Sequence, residues 1–292
     1  MAEREWTAKS RGNRLGYEIF QFFLKHFGVR FAYANLTYVV PYFMLFARNA
    51  TSALWFYYRA IFKKNWLQTI GCIYKHFFKF GQCIVDKVAI QCGLQDKFKY
   101  EFGENYDEFL RTLNGAQGVI VIGAHVGAWQ MGCSFFGDCS KRLNIVMVDA
   151  ERQMVKQFTE SDDKNYNIIA VNKTDGLEMA LNIKRALNAG EAVCIQGDRY
   201  TNEERVMTAK FMGRDANFPE GPFLLGAKLR VPVLFYFATH QKGGYHFSFE
   251  IINPQAEKMN KETLLERYVA SLEKVLKAHP QQWFNFYEFW GK

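Results

Sequence analysis

The chain of 292 residues lacks the sequence features of several common protein classes. It contains no G-x-S-x-G nucleophile elbow, no G-x-G-x-x-G fingerprint and no H-E-x-x-H motif, which argues against a serine hydrolase, a dinucleotide-dependent enzyme and a zinc protease. Its six cysteines form no C-x-x-C pair, so we expect reduced thiols, no metal and no cofactor. With only six prolines and no low-complexity segment, a disordered or fibrous chain is not predicted.

The sequence is rich in positive charge and in aromatic side chains. Lys and Arg total 37 against 29 Asp and Glu, a formal net charge of +8, and aromatic residues make up 17% of the chain. Such a protein suits an anionic membrane, an acidic carrier protein or a nucleic acid. Its basic residues are not interleaved with aromatic ones as in an RNP motif, so nucleic-acid binding is not predicted.

The first 97 residues are predicted to form a helical element at a membrane surface. Residues 1–14 are polar, carry both signs of charge and do not resemble a secretory signal peptide. The apolar and aromatic region at 15–62 is interrupted by Pro41, whereas a spanning helix needs roughly 20 apolar residues in a row. An interfacial helix or hairpin with basic side chains for lipid phosphates is therefore favoured, and an internal helix packed on the core is the alternative.

From residue 98 onward, predicted strands alternate with predicted helices. This alternation predicts an α/β fold with a mainly parallel or mixed sheet flanked by helices. No linker separates the parts, so 1–97 and 98–292 are expected to form one continuous unit, and the polar stretch at 98–116 is predicted to be a solvated helix. The predicted strands are 118–124, 144–148, 167–171, 192–196, 231–237 and 245–252, and the predicted helices are 127–137, 151–158, 175–189, 220–229 and 262–278.

Four blocks of reactive side chains lie at or beyond the ends of these strands. Because the carboxyl ends of parallel strands share one edge of a sheet, the blocks are expected to converge on one crevice. A histidine at such an edge titrates near neutrality and suits proton transfer with a hydroxyl. Each block also has a structural alternative. His125 could be a core histidine and Asp149 a helix cap, while Asp198 with Arg199 could form an ion pair and the 219–221 block a turn. The blocks contain His125 with Gln130, Asp149, Asp198 with Arg199, and Pro219 with Glu220 and Gly221.

These blocks resemble those of the bacterial lipid A biosynthesis acyltransferase-like proteins, within the glycerolipid acyltransferase superfamily. Residues 124–129 look like the beginning of their His-x4-Asp/Glu catalytic box, and the C-terminal His279-Pro-Gln-Gln-Trp283 is similar to their His-Pro-x-Gln-Trp signature. Shorter blocks at 6–16, 197–199, 211–213 and 218–222 are similar in order and spacing. The resemblance implies a membrane-associated enzyme that transfers a fatty acyl chain from acyl carrier protein or CoA to a lipid or glycolipid acceptor, on the cytoplasmic face of the inner membrane.

The resemblance also implies residue roles. His125 would be the general base, and a backbone N–H near Gly123 or Gly127 would stabilise the oxyanion. Asp149, Asp198, Arg199 and the block at 219–221 would bind substrate. Gln130 stands where the family has a carboxylate, so it brings no negative charge to the imidazole. Three explanations are open. Another carboxylate such as Asp149 substitutes for the missing one, the enzyme works more slowly with Gln130, or the protein is a catalytically silent lipid- or carrier-binding homologue.

Overall fold

A seven-stranded sheet with helices on its faces forms the centre of the fold. The structure is a computed structural model, and it describes residues 14–129, 139–148, 166–171, 176–200, 205–242, 244–254 and 256–290. The strands are β1 (Lys99–Phe102), β2 (Val119–Gly123), β3 (Leu143–Val148), β4 (Tyr166–Val171), β5 (Ala192–Gln196), β6 (Val206–Phe211), β7 (Arg214–Pro219), β8 (Val233–Gln241) and β9 (Gly244–Ile252). Within the same ranges the helices are α1 (Arg14–Phe46), α2 (Arg48–Phe56), α3 (Trp66–Gln91), α4 (Tyr106–Asn114), α5 (Gly176–Asn188), α6 (Glu220–Leu229) and α7 (Lys261–Ala278).

The main sheet runs in the order β1-β9-β8-β2-β5-β3-β4. All neighbouring strands are parallel except β8 and β9, which are antiparallel. Strand β2 lies near the middle, and all of its residues are buried because other elements cover both faces of the sheet. Its run of Val and Ile side chains fits such a position. The predicted α/β fold with a mainly parallel, mixed sheet flanked by helices is confirmed.

Most predicted elements of the α/β part agree with the structure, and the exceptions have physical reasons. The stretch at 98–116 is not one solvated helix: β1 pairs in parallel with the edge strand β9, and α4 follows it. The sequence analysis also missed the hairpin of β6 and β7, whose turn at Met212 and Gly213 has positive φ angles of 53° and 81°. The predicted helix at 151–158 and most of that at 127–137 lie outside the described residues.

The N-terminal third is helical and exposes many large apolar side chains. Helix α1 is broken at Gly28, whose φ of 77° and ψ of 175° are not helical, and it contains Pro41. Within the described residues, no helix combines the length and the apolar character needed to cross a membrane. We call the exposed apolar side chains of α1, α2 and the first turns of α3 the aromatic face; among them are Phe22, Phe27, Phe31, Tyr38, Tyr42, Leu45, Phe46, Trp55, Trp66 and Leu67.

A buried carboxylate on α3 joins the helical part to the sheet. Asp86 is fully buried and accepts hydrogen bonds from Tyr33 of α1 and Tyr245 of β9. His240 Nε2 lies 3.9 Å from the same carboxylate, and Lys79 Nζ lies 3.1 Å from His240 Nδ1. Burial raises the pKa of Asp86 to about 6, although the two phenol hydrogen bonds act to lower it. The cluster therefore ties α1, α3 and β9 together through one ionisable group.

We expect Tyr245→Phe to lower the free energy of unfolding by about 1–3 kcal/mol, because it removes a donor to a buried carboxylate. Since the hydrogen bond from Tyr245 lowers the pKa of Asp86, the loss is larger above about pH 6, where the carboxylate is ionised. Below that pH, Asp86 in the folded chain is protonated in both proteins, and the difference between them shrinks. Denaturant unfolding at about pH 5 and about pH 8 measures the effect.

The matched control is Tyr57→Phe. Tyr57 is also a buried phenol, but the described part of the chain offers its hydroxyl no hydrogen-bond partner. Its replacement should change stability little and equally at both pH values. An equal loss for Tyr245→Phe at both pH values would contradict an ionised Asp86 as the group that Tyr245 stabilises.

Candidate active site

The loop after β2 is fixed by its backbone. The Gly127 N–H donates to the carbonyl of Gln282 at 2.7 Å, and the Ala128 N–H donates to the carbonyl of Ala238 in β8 at 2.9 Å. Gly127 has a φ of +54°, and a Cβ added there would lie 2.0 Å from the Ala238 oxygen. Only glycine fits this close approach. The fold thus already uses the N–H of Gly127 that the sequence analysis suggested as an oxyanion donor.

His125, at the start of this loop, contacts Asp198. The imidazole Nδ1 lies 2.8 Å from Asp198 Oδ1, and the backbone N–H of His125 donates to Asp198 Oδ2 at 2.9 Å. Both side chains are buried, with 3% and 1% of their surface exposed. The other ring nitrogen, Nε2, has no hydrogen-bond partner within the described ranges. We call these residues the His125–Asp198 pair.

The register of the sheet brings the two members of the pair together. Strand β5 lies beside β2 in parallel, with Gly123 opposite Gln196, so the residues that follow the two strands meet at the same edge. The Gly197 N–H donates to the carbonyl of Gly123 at 2.9 Å, and a Cβ on Gly197 would lie 2.8 Å from the ring of Tyr268. The glycine before Asp198 therefore lets the chain pass close to β2.

The surroundings of Asp198 favour its ionised form. Burial alone raises the pKa of a carboxyl group. The charge of His125 and the hydrogen bond with it, the charge of Arg199 and the hydrogen bond from Trp283 outweigh this effect, and they hold the pKa of Asp198 below its usual range. An ionised carboxylate beside Nδ1 favours the tautomer with the proton on Nδ1. The lone pair of Nε2 is then available to accept a proton.

The predicted site residues do not all lie within the described part of the chain. Asp198, predicted to bind substrate, contacts His125 directly, and Arg199 beside it donates from Nη2 to the carbonyl of Phe284 at 3.3 Å. Gln130 and Asp149 lie outside the described residues. Across the described ranges, no cluster of three or more His, Cys, Asp or Glu side chains could hold a metal ion.

The 219–221 block lies at the start of α6. Pro219 caps the helix with an extended backbone, and Glu220 forms an ion pair with Lys261 of α7. A Cβ on Gly221 would meet no atom within 4 Å, so packing does not require a glycine there. The ion pair gives Glu220 a structural partner that the sequence analysis did not foresee. The substrate-binding role of the block stays a prediction.

A C-terminal segment, residues 279–290, packs along the site, and we call it the strap. The backbone N–H of Phe284 donates to the carbonyl of His125 at 2.8 Å, and Trp283 pairs with Val126 as in an antiparallel bridge. The side chain of Gln282 both accepts from and donates to the backbone of His240, at 2.7 and 2.9 Å. The sequence signalled this segment only through its His-Pro-x-Gln-Trp pattern, which carries no indication of these contacts.

A large apolar groove lies between α1, α2, α3 and the strap. Its volume is about 1150 Å³, and its walls are mostly Ala, Val, Leu and Phe side chains, with Arg48 and Arg59 among the polar residues that line it. Tyr287 of the strap also lines the groove, and its hydroxyl donates to the backbone carbonyl of Asp198 at 3.4 Å. Tyr287 therefore connects the wall of the groove to the backbone of Asp198.

A buried histidine–carboxylate pair at the carboxyl edge of a parallel sheet is an arrangement that suits proton transfer. The family model of the bacterial lipid A biosynthesis acyltransferases matches residues 60–292, a range that contains the pair and the whole strap. The chain belongs to this family and is an acyltransferase. No curated protein matches the chain.

We expect Gly127→Ala to lower the free energy of unfolding by about 3–5 kcal/mol and to reduce acyl transfer sharply, because the new Cβ collides with the backbone of β8 and displaces the His125 loop. Gly213→Ala is the matched control: its φ is also positive, at +81°, but a Cβ there meets no atom within 4 Å. Left-handed strain alone costs about 1–2 kcal/mol. Thermal unfolding and transfer rates of both variants separate collision from strain, and equal effects would contradict the collision.

Proposed function

We propose that the protein transfers a fatty acyl chain from an acyl thioester, carried by acyl carrier protein or CoA, to a hydroxyl group of a lipid or glycolipid, with His125 as general base. The supporting observation is the 2.8 Å contact between His125 Nδ1 and an ionised Asp198, which leaves Nε2 without a partner in the described part of the chain. A histidine held in this way is prepared to accept a proton at Nε2.

The proposed reaction needs one histidine and no covalent acyl-enzyme. Nε2 of His125 removes the proton of the acceptor hydroxyl as its oxygen attacks the thioester carbonyl carbon. The tetrahedral intermediate then collapses, the carbon–sulfur bond breaks, and the departing thiolate takes the proton back from the imidazolium. Asp198 stays ionised throughout and stabilises the imidazolium between the two proton transfers. The products are the acylated acceptor and the free thiol.

Asp198 supports an active enzyme despite the amide at Gln130. A general-base histidine needs a partner that fixes its tautomer and balances the charge of its protonated form. The Asp198 carboxylate, 1% exposed and within 2.8 Å, has the geometry for both tasks. A carboxylate at position 130 is then not required for the proposed chemistry, which favours an active enzyme over a silent homologue.

Arg199 and the groove support an amphipathic substrate. The guanidinium of Arg199 follows Asp198 directly and offers a planar set of donors for a phosphate or an oxyanion. The groove of about 1150 Å³ exceeds the roughly 300–1000 Å³ of most small-molecule sites, and its apolar walls suit an acyl chain. We propose that the chain of donor or acceptor lies there, while Asp149 and the 219–221 block contact more distant parts of the substrate.

The aromatic face supports a peripheral position on the membrane. Aromatic and aliphatic side chains are exposed along α1, α2 and the start of α3, with basic side chains such as Arg48, Arg59, Lys63 and Lys64 among them. Large exposed apolar patches mark binding surfaces, and neighbouring cations favour anionic lipid. We propose that this face holds the enzyme at the cytoplasmic surface of the inner membrane, where a lipid acceptor is available.

Acyl transfer by purified variants tests the proposed function. Labelled acyl carrier protein or acyl-CoA is supplied with a total lipid extract, and products are identified by mass spectrometry. We expect wild type to form an acylated lipid, His125→Ala to form none, and Asp198→Asn to lose about 10⁴-fold in kcat, as in other histidine–aspartate pairs. Because one oxygen at position 198 must still accept two N–H groups, the introduced amide would present its NH₂ group to Nδ1 and enforce the wrong tautomer.

The Gln130→Glu variant distinguishes an active enzyme from a catalytically silent homologue. If wild type is inactive and Gln130→Glu is active, the protein is a silent homologue that lost its carboxylate at position 130. If wild type is active and Gln130→Glu changes its rate little, Asp198 is the working carboxylate. Thermal unfolding of each variant checks that a lost rate reflects chemistry rather than a lost fold.

The membrane proposal predicts that Leu45→Ser combined with Phe46→Ser weakens binding to vesicles of phosphatidylethanolamine and phosphatidylglycerol. Each side chain is more than half exposed, and transfer of such a group from water to lipid contributes about 1.5–3 kcal/mol, so we expect roughly a hundredfold loss or more. Leu177→Ser with Leu181→Ser is the matched control, since both leucines are exposed on α5. Equal binding by the two double variants in vesicle sedimentation would contradict the proposal.

A further inference from the structure

We infer that Trp283 is a positioning residue for the transfer: its indole N–H fixes the Asp198 carboxylate in the orientation that presents Oδ1 to His125. The inference rests on the proposed function for its kinetic consequence. It concerns a residue that contacts neither the reacting hydroxyl nor the thioester in the mechanism above, and that acts through Asp198.

The hydrogen bonds of Asp198 divide unequally between its two oxygens. Oδ2 accepts the backbone N–H of His125 at 2.9 Å and the indole N–H of Trp283 at 2.8 Å. Oδ1 lies 2.8 Å from His125 Nδ1. Two donors on one oxygen, from different directions, fix the plane of the carboxylate. Without Trp283, a single donor holds Oδ2, and the carboxylate can rotate about its Cβ–Cγ bond away from the imidazole.

The indole itself cannot turn. Trp283 is 2% exposed, and its ring packs in a cage of aromatic rings. The ring centroids lie 5.1–5.7 Å away, so the direction of the N–H is set by packing rather than by the hydrogen bond alone. The four neighbours are Tyr57, Phe211, Phe289 and Trp290.

The strap also holds the other member of the pair. The residue after Trp283 donates its backbone N–H to the carbonyl of His125 at 2.8 Å, and Trp283 itself bridges to Val126. One short segment, 85 residues beyond Asp198 in the sequence, therefore positions both the imidazole and the carboxylate.

Trp283→Phe tests this role, because phenylalanine keeps an aromatic ring in the cage and removes the donor. We expect kcat to fall roughly tenfold to a hundredfold, the equivalent of one hydrogen bond to a charged group, with KM changed little. The hydrogen bond from Trp283 contributes to the lowered pKa of Asp198, so its loss raises the pKa of that carboxyl group. The acid limb of the kcat/KM profile should therefore move to higher pH, an effect that a purely structural residue would not produce.

Tyr245→Phe is the matched control. Tyr245 is a buried residue outside the cage that also donates to a buried carboxylate, that of Asp86 and not that of Asp198. Its replacement should destabilise the fold and keep both kcat and the acid limb of wild type. If Trp283→Phe does not fold, benzothienylalanine incorporated at position 283 keeps the two-ring shape and replaces the N–H by sulfur.

A second readout does not depend on activity. In ¹⁵N-histidine NMR spectra, with the His125 signals identified by their absence in His125→Ala, we expect the Nδ1–H tautomer in wild type and a mixture in Trp283→Phe. A kcat, an acid limb and a tautomer all unchanged in Trp283→Phe would overturn the inference. An inactive wild type with the tautomer change still present would overturn the proposed function and leave the positioning role standing.

Discussion

Much of the structure around the sheet edge serves one contact, that between the His125 imidazole and the Asp198 carboxylate. Two buried titratable groups must lie within hydrogen-bond distance, although 73 residues separate them in the sequence. The parallel pairing of β2 with β5 provides the distance, and Gly197 and Gly127 provide the close backbone approaches. A buried carboxylate stays ionised only where donors and a cation compensate for lost water, and here the backbone of His125, Trp283 and Arg199 supply that compensation.

The strap orients the side chains that the sheet brings together. Parallel strands bring loops to a common edge, but they do not fix the directions of side chains there. Hydrogen bonds from Gln282, Trp283 and Phe284 reach the loop after β2, the end of β8 and the carboxylate of Asp198. The aromatic rings around Trp283 make this arrangement stiff, because densely packed rings have few alternative positions. The high aromatic content of the chain thus serves the strap, the buried core of the sheet and the exposed face of the N-terminal helices.

The N-terminal helices connect that face to the site. Asp86 binds α1 and β9 to α3 through two tyrosines, and the groove between these helices reaches Tyr287, whose hydroxyl contacts the backbone of Asp198. If an acyl chain lies in the groove, as we propose, it is near both the aromatic face and the backbone of Asp198. Its apolar surroundings then keep the chain from water.

The sequence by itself determined the α/β fold and most strand positions, and it singled out His125 as a candidate, because buried β-branched runs, helical periodicity and a histidine at a strand end are local signals. It also pointed to Asp198 and Arg199 as substrate-binding residues, but it gave no indication of the contact between Asp198 and His125. The edge strand β1 was missed because it has only four residues, and the hairpin of β6 and β7 was missed because its strands are mostly exposed or half-buried and contain no run of β-branched residues. Only the tertiary structure decided which carboxylate contacts His125, since that contact follows from strand order, and which donor fixes it, since the strap arrives from 85 residues away.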